Sequence, residues 1–318
     1  MHNISESGQA GADHAGKRVD QVAAVLFSDY SRARLQAWIS EGALTVDGRA
    51  VKPSHTLTGG EWLQLDATAE AVGHDEPEDL PVRVVFEDEH LIVVNKPPGL
   101  VVHPAAGRPS GTLLNRLLHH DPKLAALPRA GIVHRLDKDT SGVMVVARSL
   151  KAHAFLVEQL QSRAVRRLYE ALVTGVPDSP GTIDAPLARR PRDRKRIGVV
   201  AGGKEARTRF RLIESFGFAS HMELSLETGR THQIRVHMQH IGHALLGDPQ
   251  YGPGRGIMKA LPAEVCEAAA ALGRQALHAR KLELNHPETG QACHFEAPLP
   301  GDFLALRSVL EEQARECT

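Results

Sequence analysis

The sequence predicts an α+β fold: a large domain built on a mixed, largely antiparallel sheet, with a small α/β module in front of it. Three observations carry this. Strand-like runs dominate the larger part; Met222, Leu224 and Leu226, for instance, alternate with Glu223, Ser225 and Glu227, the period of a half-buried strand. Helical patterns intervene irregularly, with no βαβ repeat and no GxGxxG, which argues against a doubly wound sheet. The length of 318 residues, 42% hydrophobic and 24% charged, suits about two domains with a sizeable core.

The elements follow in order. Residues 1–15 are small and polar without periodicity, and a flexible tail is expected there. Residues 16–66 form the small module. Val22, Val25 and Leu26 fall on one face of a first helix; Leu35, Trp38 and Ile39 make the apolar face of a second, with Ser31 placed to cap it. Leu44–Val51 alternates around Asp47-Gly48, a hairpin signal, and Glu61–Leu65 is a closing strand. Residues 67–80 read as an acidic linker, and residues 81–318 as the larger domain. There Val82–Phe86, His90–Val94 and Tyr169–Val173 are strand-like. Ser149 caps a helix whose apolar face is Ala152, Phe155, Leu156 and Leu160.

Composition excludes several classes. No apolar run approaches the ~18 residues that cross a bilayer, and the N-terminus has no apolar leader segment. The three cysteines, Cys266, Cys293 and Cys317, lack CxxC spacing, so neither a disulfide framework nor a structural zinc is expected; a cytoplasmic location is. Lys+Arg and Asp+Glu are 38 each, but unevenly spread. Asp66–Asp79 holds six acids and no Lys or Arg, whereas Leu187–Arg211 holds ten Lys/Arg against Asp193 and Glu205.

The densest polar segment is Gly131–Val146, where a loop carrying His134, Arg135, Asp137 and Asp139 runs into the apolar strand Val143–Val146. Loops at the end of rigid strands commonly hold reactive groups. Spacing alone leaves two readings of Asp137 open, a reactive carboxylate or a turn cap paired with Arg135. A Ser-His-Asp triad from His134, Asp137 and Ser141 lacks a GxSxG elbow. His237, His240 and His243 are spaced for a metal but lack HExxH or a supporting acid. No metal is expected.

The segment His134-Arg-Leu-Asp-Lys-Asp-Thr-Ser-Gly142 resembles the HRLD signature of RluA-type pseudouridine synthases. Arg167–Val173 looks like that family's tyrosine strand and Thr228–His237 its third motif; Val94–Pro97, Val102–Pro104, Leu246–Pro249 and Gln275–His278 also match its pattern. Residues Arg18 to about Asp66 resemble the S4 RNA-binding domain. Within the family the chain is most similar to the branch that acts on the large ribosomal subunit. The resemblance implies conversion of uridine to pseudouridine in 23S rRNA, in the helix 69 stem-loop, by a monomer without a cofactor.

By this resemblance Asp137 is the essential carboxylate, with Tyr169 stacking on the uracil and assisting proton removal from C5. Arg235 is the cation that keeps Asp137 charged. Arg135 fills the space left by the flipped nucleotide, and His134, Leu246, Arg230 and His232 meet the substrate, Leu246 as part of an apolar wall. Arg32 and Arg34, with Arg189, Arg190, Arg192, Arg194, Lys195 and Arg196, are the expected phosphate partners. The competing class is a non-catalytic rRNA-binding assembly factor, which would need no Asp137, Tyr169 and Arg235 in combination.

Overall fold

The structure, a computed structural model, describes residues 2–27, 30, 32–69, 76–104, 109–191 and 193–316. Ser31, Arg192 and the side chains of Arg32, Arg194 and Lys195, all singled out above, lie outside the described residues. Residues Met1–Asp75 form one compact unit and Glu76–Thr318 a second.

In the first unit, helices α1 (Val19–Leu26) and α2 (Arg32–Glu41) share one core with a sheet of β1 (His2–Gln9), β2 (Leu44–Val46), β3 (Arg49–Ala50) and β4 (Trp62–Ala69), in the order β1-β4-β2-β3. Val22, Leu35, Trp38, Ile39, Leu44 and Leu65 are buried together. The hairpin turn forms at Asp47 (φ 48°) and Gly48 (φ 73°), the two positive φ values that a tight type I′ turn requires. Val25 is 65% exposed, because the buried stripe of α1 centres on Val19, Val22 and Ala23.

Two expectations change here. Residues 2–9 are strand β1 rather than a flexible tail, pairing along the whole of β4 from His2↔Ala69 to Gln9↔Trp62. The ladder is made by backbone groups, so a polar edge strand needs no apolar alternation to form it. The expected linker is shorter at both ends. β4 runs to Ala69, and Glu76 and Glu78 are tied to the larger unit: the Asn115 amide donates to the Glu76 carbonyl, and the Gly111 N–H to the Glu78 carboxylate.

The second unit is the α+β domain. Its main-sheet strands are β5 (Val84–Glu87), β6 (Leu91–Lys96), β7 (Ser141–Ala147), β8 (Arg166–Thr174), β9 (Gly181–Asp184), β12 (Arg207–Ser215), β13 (Ala219–Leu226), β14 (Leu277–Asn285) and β15 (Ala292–Glu296). Among the described residues they run in the order β5-β6-β7-β14-β8-β13-β12-β9, with β15 beside β14. A separate hairpin is β10 (Leu187–Arg190) with β11 (Asp193–Val199). All pairings in the main sheet are antiparallel except β7 with β14. Helices α3 (Leu113–His120) and α4 (Leu150–Gln161, capped by Ser149 Oγ) join the core around β6 and β7. Of the remaining helices, α5 (Gln233–His240) and α6 (Arg255–Lys259) come before α7 (Ala263–Leu272) and α8 (Gly301–Glu316). α7 and α8 bury a second cluster with Leu172, Phe216 and Leu246.

β7 is buried at all seven positions, yet β14 pairs with it only at Ser141 and Gly142. The chain before β7 covers the rest of that edge. Ile132 bridges to Val146, and the Val145 N–H donates to His134 Nε2 at 3.1 Å. The polar loop singled out in the sequence therefore sits where β7 and β14 part.

Candidate active site

Asp137 lies on this loop, and three side chains from distant elements brace the residues after it. Buried Lys96, at the end of β6, donates to the carbonyls of Lys138 (2.8 Å), Pro97 and Leu100 (2.9 Å each). Arg274 donates to the Asp139 carbonyl at 3.2 Å, and Gln275 to the Thr140 hydroxyl at 3.0 Å. Leu136 is buried in the core just before the carboxylate. Burial pushes the Lys96 ammonium down to about 7, against the opposing pull of Asp139 and Asp137.

The carboxylate of Asp137 meets Arg235 of α5, Nη1 to Oδ2 at 3.1 Å, rather than Arg135. The other edge of Arg235 is a fork onto fully buried Asp248, Nε to Oδ2 at 2.6 Å and Nη2 to Oδ1 at 2.9 Å. Asp248 also accepts the Gln250 and Tyr251 amides at 2.9 Å each. Burial would raise its pKa, but these bonds outweigh it and hold the carboxyl below its ordinary range. The Arg235 guanidinium rests 4.9 Å from the Tyr251 ring centre.

Tyr251 links to a second neighbour of Asp137. Its hydroxyl accepts the Ile197 N–H at 3.0 Å and lies 2.9 Å from His232 Nδ1. The other ring nitrogen of His232, Nε2, lies 4.0 Å from Asp137 Oδ1. Burial holds His232 below its ordinary pKa despite the nearby carboxylates. His232 enters α5 in a left-handed conformation (φ 56°), and buried Gln233 fastens the turn through the Arg230 amide and the Thr228 hydroxyl.

Tyr169, on β8, is buried; burial raises its pKa, partly offset by Arg167, and the Asp137 charge adds to the rise. It is a protonated phenol that senses Asp137. Arg135 is exposed, and its charge reaches His232 and His103. Arg230 donates to the Glu205 carbonyl at 3.0 Å. Leu246 is not among these groups: it is fully buried in the α7–α8 cluster, two residues ahead of Asp248. The Asp137 group thus gathers Arg235 and His232, within charge range of Tyr169 and Arg135. Asp248, Tyr251, Lys96, Arg274 and Gln275 complete it. Sequence reasoning gave those five no role, although Lys96, Asp248 and Gln275 fall in matching stretches.

The histidines with metal-like spacing diverge. His237 lies between the Thr208 hydroxyl and the Ala185 carbonyl, and His243 Nδ1 meets the Thr174 carbonyl. His240 lines a cavity of about 690 Å³ with Arg190, Val199, Val236 and Gln239, a site that does not include Asp137.

The basic run is less basic in three dimensions than in sequence. Arg207 pairs with Asp184 and Glu227, Arg209 with Glu227 and Arg211 with Glu223 across β9, β12 and β13. Arg189 is exposed on the β10–β11 hairpin, Arg190 reaches Gln239 and Arg196 lies 3.6 Å from Asp193. In the first unit, Arg34 stacks over Trp38 at 5.2 Å. No helix is long and apolar enough to cross a membrane among the described residues.

Residues 90–240 match a family model described as RNA pseudouridylate synthase, and residues 17–63 match the S4 domain. The chain is 51% identical over 309 residues to a Pseudomonas aeruginosa protein described as Ribosomal large subunit pseudouridine synthase D, covering 97% of each. The identically described protein of Escherichia coli K12 is 46% identical over 306 residues, 95% of this chain and 93% of that one. Among solved structures, Human RNA Pseudouridylate Synthase Domain Containing 4 superposes with a TM-score of 0.56 at 27% identity, covering 72% of this chain and 93% of that chain.

Proposed function

The chain belongs to the RNA pseudouridylate synthase family, and from that premise we propose that it isomerises uridines of the large ribosomal subunit's RNA, in the helix 69 stem-loop of 23S rRNA. The observation that carries the reading is the placement of Asp137 on a braced loop, 3.1 Å from an arginine whose other edge is locked onto Asp248. An ionised carboxylate at a partly desolvated site needs such a partner, and here the partner cannot swing away.

In this reading the target nucleotide flips out of its stack and Arg135 occupies the space it leaves. Asp137 engages the uridine, and the N1–C1′ bond breaks. The uracil turns, C5 joins C1′, the C5 proton leaves and N1 gains a proton. Product and substrate are isomers, so the chemistry calls for no redox or group-carrying cofactor. Tyr169, a phenol on the wall of the site, stacks on the base and assists at C5. His232, whose Nε2 lies 4.0 Å from Asp137 Oδ1, lines the site beside the carboxylate. The basic residues of the β10–β11 segment and Arg32 and Arg34 of the S4 unit meet backbone phosphates. The enzyme works in the cytoplasm as a monomer.

The test is tritium release from 5-tritiated uridine in 23S rRNA, as naked transcript and as 50S subunit, with the product mapped chemically. Wild type should release tritium and Asp137→Asn should not, while binding RNA equally well. Turnover by Asp137→Asn would reject the carboxylate's role. Tight, salt-sensitive binding without release by wild type would favour an assembly factor.

A further inference from the structure

Arg167 is the cation that the reaction as described leaves unused. It precedes Tyr169 by two residues on β8, so both side chains leave the same face of the strand. Burial lowers the pKa of His134 and raises that of Tyr169; the Arg167 charge adds to the first shift and offsets part of the second, as a guanidinium beside the site would. Yet it has almost nothing to hold. Its Nε is buried without a hydrogen-bond partner, its Nη2 makes one long bond of 3.5 Å to the Leu226 carbonyl, and no described carboxylate pairs with it. Arg235, Arg274 and Arg230 are engaged, with two carboxylates, with Asp302 and with a carbonyl, and Arg135 is exposed to solvent rather than half-buried. Gly229 leaves room for it, since a Cβ there would lie 2.7 Å from Arg167 Nη1.

A half-buried, unneutralised cation is costly in the free protein. An anion that arrives with the substrate offsets that cost. We propose that Arg167 is a substrate-anchoring residue whose guanidinium receives an anionic oxygen of the target nucleotide. The inference rests on the isomerase reading and adds a residue to it. Two sources share the chemistry. One is the phosphate beside the flipped uridine. The other is the uracil itself, whose oxygens share the negative charge once the base leaves with the electron pair of the N1–C1′ bond.

The test compares Arg167→Gln, Arg167→Lys and Gly229→Ala with wild type. It measures the melting temperature of the free protein, kcat and KM by tritium release, and the Kd for a helix 69 stem-loop RNA in an Asp137→Asn background. Arg167→Gln should melt at or above the wild-type temperature and lose at least tenfold in kcat/KM. Arg167→Lys should recover part of the loss, and Gly229→Ala, which displaces the guanidinium, should reproduce part of it. A phosphate source puts the loss in KM and Kd; a uracil source puts it in kcat and leaves Kd unchanged. Wild-type kcat/KM within twofold in Arg167→Gln overturns the proposal, and so does a lowered melting temperature accompanying the loss, which would mark a structural arginine. If wild type releases no tritium, the isomerase reading fails on its own; unchanged Kd in Arg167→Gln then ends this proposal too, and weakened binding sustains it.

Discussion

Arg235 holds two carboxylates at once, Asp137 through Nη1 at 3.1 Å and Asp248 through Nε and Nη2 at 2.6 and 2.9 Å. The two are not equivalent. Asp248 has no exposed side-chain surface and accepts four hydrogen bonds, whereas Asp137 is 20% exposed and takes one bond from the arginine. One anchors the cation and the other uses it.

That asymmetry separates stability from activity. Asp248→Asn leaves Arg235 buried and under-compensated, so it should cost about 3–5 kcal/mol of stability, the range for breaking a buried pair, and lower turnover as well. Asp137→Asn should abolish turnover and change stability by less than about 1 kcal/mol, because a partly exposed pair contributes little. Urea unfolding alongside tritium release checks both; a stability loss in Asp137→Asn equal to that of Asp248→Asn would sink the distinction.

The loop braces make a second prediction. Gln275→Leu removes the bond to Thr140, and Lys96→Met removes three bonds, one of them to the carbonyl next to Asp137. Both variants should lower kcat about tenfold or more, since small displacements of a reacting group are expensive, and should leave RNA affinity unchanged. A weakened Kd with unaltered kcat would contradict this.

Acid should weaken the fold before carboxylates titrate. Burial pushes His134 down to about 3, with Arg167 adding to the shift, and His103 down to about 4, with Arg129 and Arg135 adding. Both stay neutral when folded, whereas the unfolded chain protonates them below the ordinary 6.5. The unfolded state thus binds more protons, so stability is full above 6.5 and falls as pH drops towards 4. Each histidine contributes a slope of about 1.4 kcal/mol per pH unit in the steep part of that window. Unfolding between pH 5 and 6.5 should show a shallower slope in His134→Gln than in wild type; parallel slopes would refute the assignment.

Partner charge separates Arg190, which bonds the neutral Gln239 amide, from arginines held by carboxylates. Replacing Arg190 by Gln should weaken RNA binding and flatten its salt dependence. The slope should drop by about 0.7 for each phosphate left without a cation on single-stranded segments, or about 0.9 on duplex. The same change at Arg207, Arg209 and Arg211, already paired with Asp184, Glu227 and Glu223, should do much less. Fluorescence anisotropy over a salt series checks both, and equal effects would refute the division.

Local signals were the legible ones. The Asp47-Gly48 hairpin, the Ser149 cap and the alternation of β13 each rest on a few neighbouring residues. The Asp137–Arg235 pair, 98 residues apart, was reachable through motif resemblance but not through spacing. Strand β1 was hidden because a polar edge strand carries no apolar period. The pairing of Arg207, Arg209 and Arg211 depends on which strand lies beside β12, and the braces from Lys96 and Arg274 span 42 and 135 residues. Leu246 read as an apolar wall for want of its true neighbours on α7 and α8.

The Val145 amide of a buried strand is completed by the His134 ring rather than by another strand. A segment that supplies a missing ladder partner cannot lift off without stranding that amide away from water. The stretch from His134 to Thr140 is therefore a poor lid, and its dynamics should resemble those of the sheet. Backbone amide exchange would register this directly, with Val145 among the slowest-exchanging positions. Whatever large motion brings the reacting carbon to Asp137 then falls to the RNA, and the site selects among nucleotides by which ones open cheaply enough to reach it.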